Sequence, residues 1–276
     1  MNYLDAVILG VVEGLTEFLP VSSTGHLTIA EKLLGLQVDA KEVTAFTAVI
    51  QVGAIAAVLV YFAQDIGRIA KAWLLGLAKP EYRGTYDHRM GWYIIVGSIP
   101  IGIVGLAFKD LITGDLRSLW VVGAALILWS GVMLYAEKQA ARSRRDQRDE
   151  QQLTMRDAIV MGLVQCIALV PGVSRSGATI SAGLLQGLDR VAATRMAFFL
   201  GIPSLTAAGL YELKDVSGIG VGPTVVGTLI SFVVAYVSVA WLLKFVAHHS
   251  IGKFVPYRVA LGVVVLVALA FGASAT

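Results

Sequence analysis

Six apolar stretches, each about twenty residues long, constrain this chain more than any other feature. They cover residues 44–63, 91–108, 118–136, 193–212, 221–246 and 257–274. A helix needs roughly 20 apolar residues to cross the hydrocarbon core of a bilayer, so each stretch predicts one transmembrane helix. Only 15% of the 276 residues are charged, against about a quarter in soluble domains. We therefore expect membrane lipids around the chain and no nucleic-acid partner.

Two further apolar regions are interrupted midway by Pro, Gly and Ser. They cover residues 4–36 and 156–188. Two half-length helices around a polar kink are too short to cross the bilayer twice, and they are typical of re-entrant hairpins. The predicted fold is therefore an all-α polytopic membrane protein with six transmembrane helices and two re-entrant helical hairpins.

Basic residues set the predicted orientation. The loop 64–90 carries five Lys or Arg residues, the segment 137–156 carries six, and the loop 247–256 adds Lys253. Loops enriched in Lys and Arg usually face the cytoplasm. Both termini are then outside, and the first hairpin enters the membrane from the outside.

The two interrupted regions are related to each other in sequence. An ungapped comparison of residues 5–30 with 157–182 gives identities at Asp5/Asp157, Ala6/Ala158, Gly10/Gly162, Val12/Val164, Val21/Val173, Ser22/Ser174, Gly25/Gly177 and Ala30/Ala182. The chain then divides into a repeat half 1–136, a solvated cytoplasmic linker 137–155 and a second half 156–276. Three spans after each hairpin force the second half to be inverted. In inverted-repeat folds the two hairpin tips meet near the middle of the membrane.

Two carboxylates lie in the first hairpin. Glu13 and Glu17 are four residues apart, so they share one face of a helix. Acidic residues at membrane depth usually pair, line water or hold a cation, and oxygen ligands suit Mg²⁺ or Ca²⁺. The sequence therefore predicts a divalent-cation site at Glu13 and Glu17. A capping pair at the interface and a proton relay are the alternatives.

A hydroxyl and an imidazole follow at the same tip. Ser23 and His26 are three residues apart, as a nucleophile and its general base would be on one helical face. The imidazole could instead protonate a leaving phosphate, and the serine could simply cap the helix. Whether Ser22 or Ser23 faces His26 depends on where the second half-helix begins.

The second tip has the residues of an anion clamp. A proline ends its first half-helix, and Gly172 lets the backbone turn. Ser174, Ser176 and Thr179 open the next half-helix, whose free N–H groups and positive dipole end favour an anion. Arg175 adds a planar set of donors suited to phosphate oxygens. The competing interpretation is an arginine that snorkels to the interface.

These two tips resemble the bacterial undecaprenyl-pyrophosphate phosphatases of the bacitracin-resistance type. The shared motifs are Glu13-x-x-x-Glu17 with Pro20-Val-Ser-Ser-Thr-Gly-His26, and Pro171-Gly-Val-Ser-Arg-Ser-Gly-Ala-Thr179. The similarity extends over essentially the whole chain. It implies a membrane enzyme that removes the terminal phosphate of the C55 lipid pyrophosphate, so that the monophosphate re-enters the cell-wall carrier cycle.

The resemblance also implies roles for individual residues. Glu13 and Glu17 would serve a divalent cation and the pyrophosphate. The expected catalytic residues are Glu17, Ser23, His26 and Arg175, and the expected substrate-binding residues are Glu13, Ser22, Thr24, Gly172, Ser174, Ser176 and Thr179. Attack by Ser23 through a phosphoserine is the preferred mechanism, and attack by His26 or by water that it activates is the alternative.

The resemblance places the protein in the bacterial inner membrane, with its active site open to the periplasmic side. A homodimer would suit an exposed helical bundle of this kind. The rival hypothesis is a transporter or flippase for a lipid phosphate, because inverted repeats with two hairpins are also a transporter plan. Ser23 and His26 favour the enzyme, since a transporter has no need of a nucleophile beside a base.

Overall fold

The structure is a computed structural model that describes residues 1–38, 40–143, 146–212 and 220–272. These residues form α-helices and short 3-10 turns, with no strand among them, as the sequence predicts. The helices are α1 Tyr3–Thr16, α2 Ser23–Leu33, α3 Lys41–Tyr61, α4 Ala63–Ala78, α5 Tyr86–Ala107, α6 Lys109–Thr113, α7 Leu119–Arg142, α8 Met155–Gln165, α9 Arg175–Leu185, α10 Arg190–Glu212, α11 Val221–His248 and α12 Val255–Ala270.

Six of the described helices are long and apolar enough to span a membrane, which confirms the six predicted spans. They are Lys41–Tyr61, Tyr86–Ala107, Leu119–Arg142, Arg190–Leu210, Val221–His248 and Ile251–Ala270. The helical ends differ from the apolar limits because charged residues can extend a helix beyond its apolar part. Residues 273–274 of the last predicted span and residues 144–145 of the predicted linker lie outside the described residues.

Each predicted hairpin is a pair of short helices joined at a tip. The first pair is α1 and α2, and the second is α8 and α9, and the two helices of each pair pack against each other. Ser22 and Ser174, aligned in the repeat, have almost the same positive φ, 78° and 77°. Such a backbone is uncommon for any residue except glycine, so its recurrence supports the internal repeat. That the two pairs re-enter a bilayer remains a prediction.

The two hairpins also begin with the same cap. Asn2 accepts a hydrogen bond from the backbone of Asp5, whose carboxylate accepts one in return from the backbone of Asn2. Thr154 and Asp157 repeat this arrangement at the start of α8. Reciprocal bonds of this kind satisfy two otherwise unpaired backbone donors at a helix start.

Each hairpin packs on a helix of the opposite repeat half. In the first hairpin, α1 packs on α11, where Gly10 lies against the backbone of Gly227. In the second, α8 packs on α5, where Gly162 lies against the backbone of Gly97. Small residues at both crossings let the helix backbones approach closely. Each hairpin therefore packs on the second span of the opposite half, which brings both tips to the centre of the bundle.

Arg148 and Glu150, in the segment between α7 and α8, form ion pairs with residues of the second half. Arg148 makes two hydrogen bonds of 2.7 Å to the carboxylate of Asp157. Glu150 accepts a hydrogen bond of 2.7 Å from Arg195 on α10. The sequence predicts a solvated linker here, but these two charged side chains are held by partners on the second half.

Candidate active site

The two hairpin tips touch each other, as the inverted repeat predicts. The backbone N–H of Gly172 donates to Ser22 Oγ at 3.0 Å, and the hydroxyl of Ser176 donates to the carbonyl of Leu19 at 2.9 Å. Gly172 has a φ of 97°, a conformation that glycine adopts without strain. These contacts place the polar residues of both tips in one site.

Glu17 and Ser23 form the closest polar pair of the first tip. The N–H of Glu17 still bonds to the carbonyl of Glu13, so the helical register continues through both acids. Ser23 is the first residue of α2, and its hydroxyl donates to Glu17 Oε2 at 2.5 Å. A carboxylate at this distance can accept the proton of a serine that acts as a nucleophile.

Glu13 is fully buried beside this pair. Neither of its carboxylate oxygens has a hydrogen-bond partner among the described residues. Gln165, which is aligned with it in the second half, is also fully buried, and its amide oxygen and nitrogen likewise find no partner there. An unpaired buried polar group is costly, so these atoms indicate a place for a ligand.

Glu13 and Glu17 fit the predicted divalent cation. Mg²⁺ in phosphate-binding sites is commonly held by one or two carboxylates, with water and substrate oxygens completing its shell. No group of three or more Asp, Glu, His and Cys side chains that could hold a metal occurs within the described ranges. The protein would therefore supply two carboxylates, and the other ligands would come from water and phosphate.

Arg175 reaches the same site from the second tip. Its Nη1 donates to the carbonyl of Ala197 at 3.1 Å, and its Nη2 lies 3.5 Å from Glu17 Oε1. The guanidinium lies against Gly201, where a Cβ would collide with it, and its central carbon is 5.9 Å from the centre of the Phe18 ring. The side chain is only 10% exposed, so the snorkelling interpretation is wrong. Nε and Nη2 have no hydrogen-bond partner among the described residues, which leaves two buried donors for an anion.

The hydroxyls of the second tip are already engaged in holding its shape. Ser174 Oγ accepts from the N–H of Gly177 and lies 3.1 Å from Ser176 Oγ. Thr179 donates to the carbonyl of Arg175 at 2.8 Å. Phosphate binding by these three hydroxyls stays a prediction, as does binding by the exposed Thr24 at the first tip.

His26 has partners other than Ser23. Its Nδ1 lies 2.7 Å from the carbonyl oxygen of Ser22, which can only accept, so Nδ1 carries a proton. Its Nε2 lies 2.6 Å from the hydroxyl of Tyr257, and the two rings stack with centres 5.6 Å apart. The predicted pairing of Ser23 with His26 is therefore wrong for this structure, because the start of α2 turns the Ser23 hydroxyl towards Glu17. Tyr257 was not among the predicted site residues.

Arg258 was not among the predicted site residues either. It is fully buried, and its guanidinium donates to Ser130 Oγ at 3.1 Å and to the carbonyl of Pro20 at 3.0 Å. It also donates to the carbonyls of Gly172 and Val173, at 2.9 and 3.1 Å. One side chain of α12 thus holds both hairpin tips. A basic residue inside a predicted span was the signal that could have identified it.

The chain is similar to known proteins over nearly its whole length. The family model for the bacitracin resistance protein BacA matches residues 6–264. An undecaprenyl-diphosphatase 3 of Frankia casuarinae is 57% identical over 99% of this chain and 98% of its own length. An undecaprenyl-diphosphatase of Acidothermus cellulolyticus is also 57% identical, over 99% of this chain and 98% of its own. An undecaprenyl-diphosphatase 1 of Streptomyces coelicolor is 58% identical over 97% of this chain and 96% of its own. The chain is thus a member of the bacitracin resistance protein BacA family.

Proposed function

We propose that this protein hydrolyses undecaprenyl diphosphate to undecaprenyl phosphate and inorganic phosphate. The reaction is the one named for its relatives, which match it over nearly their whole length. It returns a lipid carrier to cell-wall synthesis, and the family's bacitracin resistance is consistent with it.

One observation supports this function best. The hydroxyl of Ser23 is hydrogen-bonded to one oxygen of the Glu17 carboxylate, and Arg175 lies 3.5 Å from the other. Nε and Nη2 of Arg175 are buried and have no hydrogen-bond partner among the described residues. A nucleophile, its base and an anion clamp therefore converge from two hairpins. Positioning and charge stabilisation do most of the catalysis in phosphoryl transfer, and this arrangement offers both.

The first step transfers the terminal phosphoryl group to the protein. Glu17 takes the hydroxyl proton of Ser23, and Ser23 Oγ forms a bond to the terminal phosphorus. The bond from that phosphorus to the bridging oxygen breaks, and its electron pair leaves with the lipid monophosphate. Glu17 then gives its proton to this leaving group. Arg175 stabilises the charge on the phosphoryl oxygens.

The second step releases inorganic phosphate. Glu17 takes a proton from a water molecule, and the water oxygen bonds to the phosphorus of the phosphoserine. The bond to Ser23 Oγ breaks, and Oγ receives the proton from Glu17. The protein is then in its starting state.

A divalent cation, Mg²⁺ or Ca²⁺, held by Glu13 together with Glu17, would neutralise phosphate charge and orient the diphosphate. The two unpaired oxygens of Glu13 support this assignment. Arg175 approaches Glu17 from the opposite hairpin, so the diphosphate would meet both the cation and the guanidinium donors in one site.

We place the protein in the bacterial inner membrane, with the site open to the periplasmic side. Six apolar helices support a multi-pass protein, and the basic loops support a cytoplasmic location for 64–90 and 137–156. A site between membrane helices lets the diphosphate enter while the prenyl tail stays among the lipids. A homodimer stays a prediction.

The test is phosphate release from undecaprenyl diphosphate by the purified protein in detergent, with Mg²⁺, with Ca²⁺ and with a chelator. We expect cation-dependent release by the wild type and by Thr224→Ala, which removes a hydroxyl bonded only within its own helix. We expect none above background from Ser23→Ala. If the folded wild type releases no phosphate with either cation, the enzyme is excluded, and the transporter hypothesis takes its place.

A further inference from the structure

The helix α4 belongs to neither a hairpin nor a span. It has 16 residues and is not among the six helices that could cross a membrane. It packs on the first two turns of the span α5. Arg68 bonds to Asp87 at 2.9 Å, and the rings of Trp73 and Trp92 are 5.6 Å apart. The predicted span 91–108 of α5 begins within these turns, so we expect α4 to lie at the membrane surface.

The side chains of α4 fall into three stripes around its axis. Ile69, Ala72 and Gly76 are buried against the protein. At about 100° per residue, the next stripe contains Leu74 and Leu77, which are 59% and 50% exposed. Beside these leucines lies what we call the basic stripe, which consists of Lys71 on α4 and Lys79 immediately after its last residue.

The basic stripe lies beside the exposed leucines. Lys71 is exposed on α4, and Lys79 is exposed immediately after its last residue. Asp65, the acid in the first turn of α4, is neutralised by Arg68 and Arg195. The unpaired charge on the outer surface of this helix is therefore positive.

The C-terminal end of α4 is capped by Arg83. Arg83 donates from Nε to the carbonyl of Gly76 at 2.8 Å and from Nη2 to the carbonyl of Leu77 at 3.1 Å. These bonds satisfy carbonyls that a helix end leaves without intrahelical partners. The first turn of α4 is thus held to α10 by the Asp65–Arg195 pair, and its last turn is capped by Arg83.

We propose that α4 lies flat in the membrane interface and binds anionic phospholipid. Leu74 and Leu77 enter the acyl-chain region, and Lys71 and Lys79 contact the phosphates of the headgroups. An apolar stripe next to a basic stripe is the pattern of helices that lie in this interface. A basic residue near an anionic surface contributes an attraction equivalent to about a fivefold change in binding.

The first test locates the helix relative to the bilayer. Cys166 is the only cysteine, so Cys166→Ser gives a background for single labels. Nitroxides are placed at Leu74→Cys and Lys71→Cys, and at Leu128→Cys on α7, which is 74% exposed and serves as the lipid-facing reference. In vesicles we expect the label at 74 to collide with oxygen as the label at 128 does. We expect the label at 71 to collide with a water-soluble nickel reagent. Equal water access at 71 and 74 would overturn the proposal, and so would a label at 74 that neither reagent reaches, as in a protein interface.

The second test measures lipid preference at the helix itself. A donor dye at Ala78→Cys transfers energy to acceptor-labelled phosphatidylglycerol or phosphatidylcholine in mixed vesicles. We expect severalfold enrichment of phosphatidylglycerol, lost in Lys71→Gln/Lys79→Gln and kept in the charge-matched Lys71→Arg/Lys79→Arg. No enrichment in the unaltered helix would contradict anionic-lipid binding. Neither test depends on phosphatase activity.

Discussion

The hydroxyl of Ser23 donates a hydrogen bond of 2.5 Å to Glu17 Oε2. This bond joins the end of α1 to the start of α2 across the first tip. It depends on the positive φ of Ser22, which begins α2 at the next residue. The pair supports our proposal that Glu17, rather than His26, is the base for Ser23.

Replacing Glu17 with Gln should remove the base while keeping the shape of the side chain. The amide can still bond to Ser23 but cannot take its proton. General-base catalysis typically contributes about 10²- to 10⁴-fold, so we expect the rate of phosphate release to fall by that amount in Glu17→Gln. Steady-state kinetics with saturating cation would measure it. A wild-type rate in a folded Glu17→Gln protein would exclude Glu17 as the base.

Glu13→Gln should weaken cation binding without disrupting the fold. Its carboxylate has no partner among the described residues, so the substitution breaks no hydrogen bond seen there. We expect the Mg²⁺ or Ca²⁺ concentration for half-maximal activity to rise by at least about 10-fold, because altering even the groups that orient metal ligands lowers metal affinity by about 10- to 100-fold. A cation titration of the variant with an unchanged midpoint would show that Glu13 does not hold the metal.

Gly201→Ala should disable the anion clamp without unfolding the protein. The added Cβ would collide with the guanidinium of Arg175, the flexible end of a side chain, which can move away. Misplacing a catalytic group by about 1 Å can cost about 10²-fold in rate, and we expect a loss of that order. The matched control is Gly209→Ala on the same helix, whose Cβ would make only ordinary contacts, 3.4 Å or more, with Val52 and Ile55. Equal activity of the two variants would contradict the role of Arg175.

Arg258→Lys should loosen both tips although it keeps the charge. A lysine cannot reproduce a planar group that serves one hydroxyl and three carbonyls. Leaving buried acceptors unpaired costs about 1–3 kcal/mol each, so we expect a clear fall in the unfolding temperature and in activity. Thermal unfolding in detergent would test this beside Arg89→Lys, which alters an exposed arginine with one contact of 3.4 Å. A melting temperature equal to that of Arg89→Lys would contradict the role of Arg258.

The number and order of the helices could be predicted from the sequence, because the length of an apolar stretch and the positions of helix-breaking residues are local signals. The six spans, the paired short helices and the contact between the tips all follow from such signals and from the repeat. The ends of the helices were less predictable. The helix α7 continues past the apolar limit at residue 136 and ends at Arg142. In this extension Glu137 Oε2 pairs with Arg190 Nη2 at 2.7 Å.

The residue types of the site could be predicted, but not all of their partners. Ser23 and His26 both lie on α2, as their spacing predicts, but the Ser23 hydroxyl bonds across the tip to Glu17, and His26 bonds to Ser22 and Tyr257. Arg258 escaped prediction because its acceptors are mostly backbone carbonyls, which any residue has. Tyr257 lies 231 positions from His26, and no local pattern relates two residues so far apart.

The role of Ser23 as the nucleophile is tested most directly by an acid-quenched reaction with undecaprenyl diphosphate labelled in its terminal phosphate. We expect the label to appear transiently on Ser23, found by mass spectrometry of the first-tip peptide, and then as inorganic phosphate. We expect neither product above background from Ser23→Ala. Release of labelled phosphate by Ser23→Ala at the wild-type rate would contradict Ser23 as the nucleophile. Absence of release from the folded wild type would contradict the phosphatase itself.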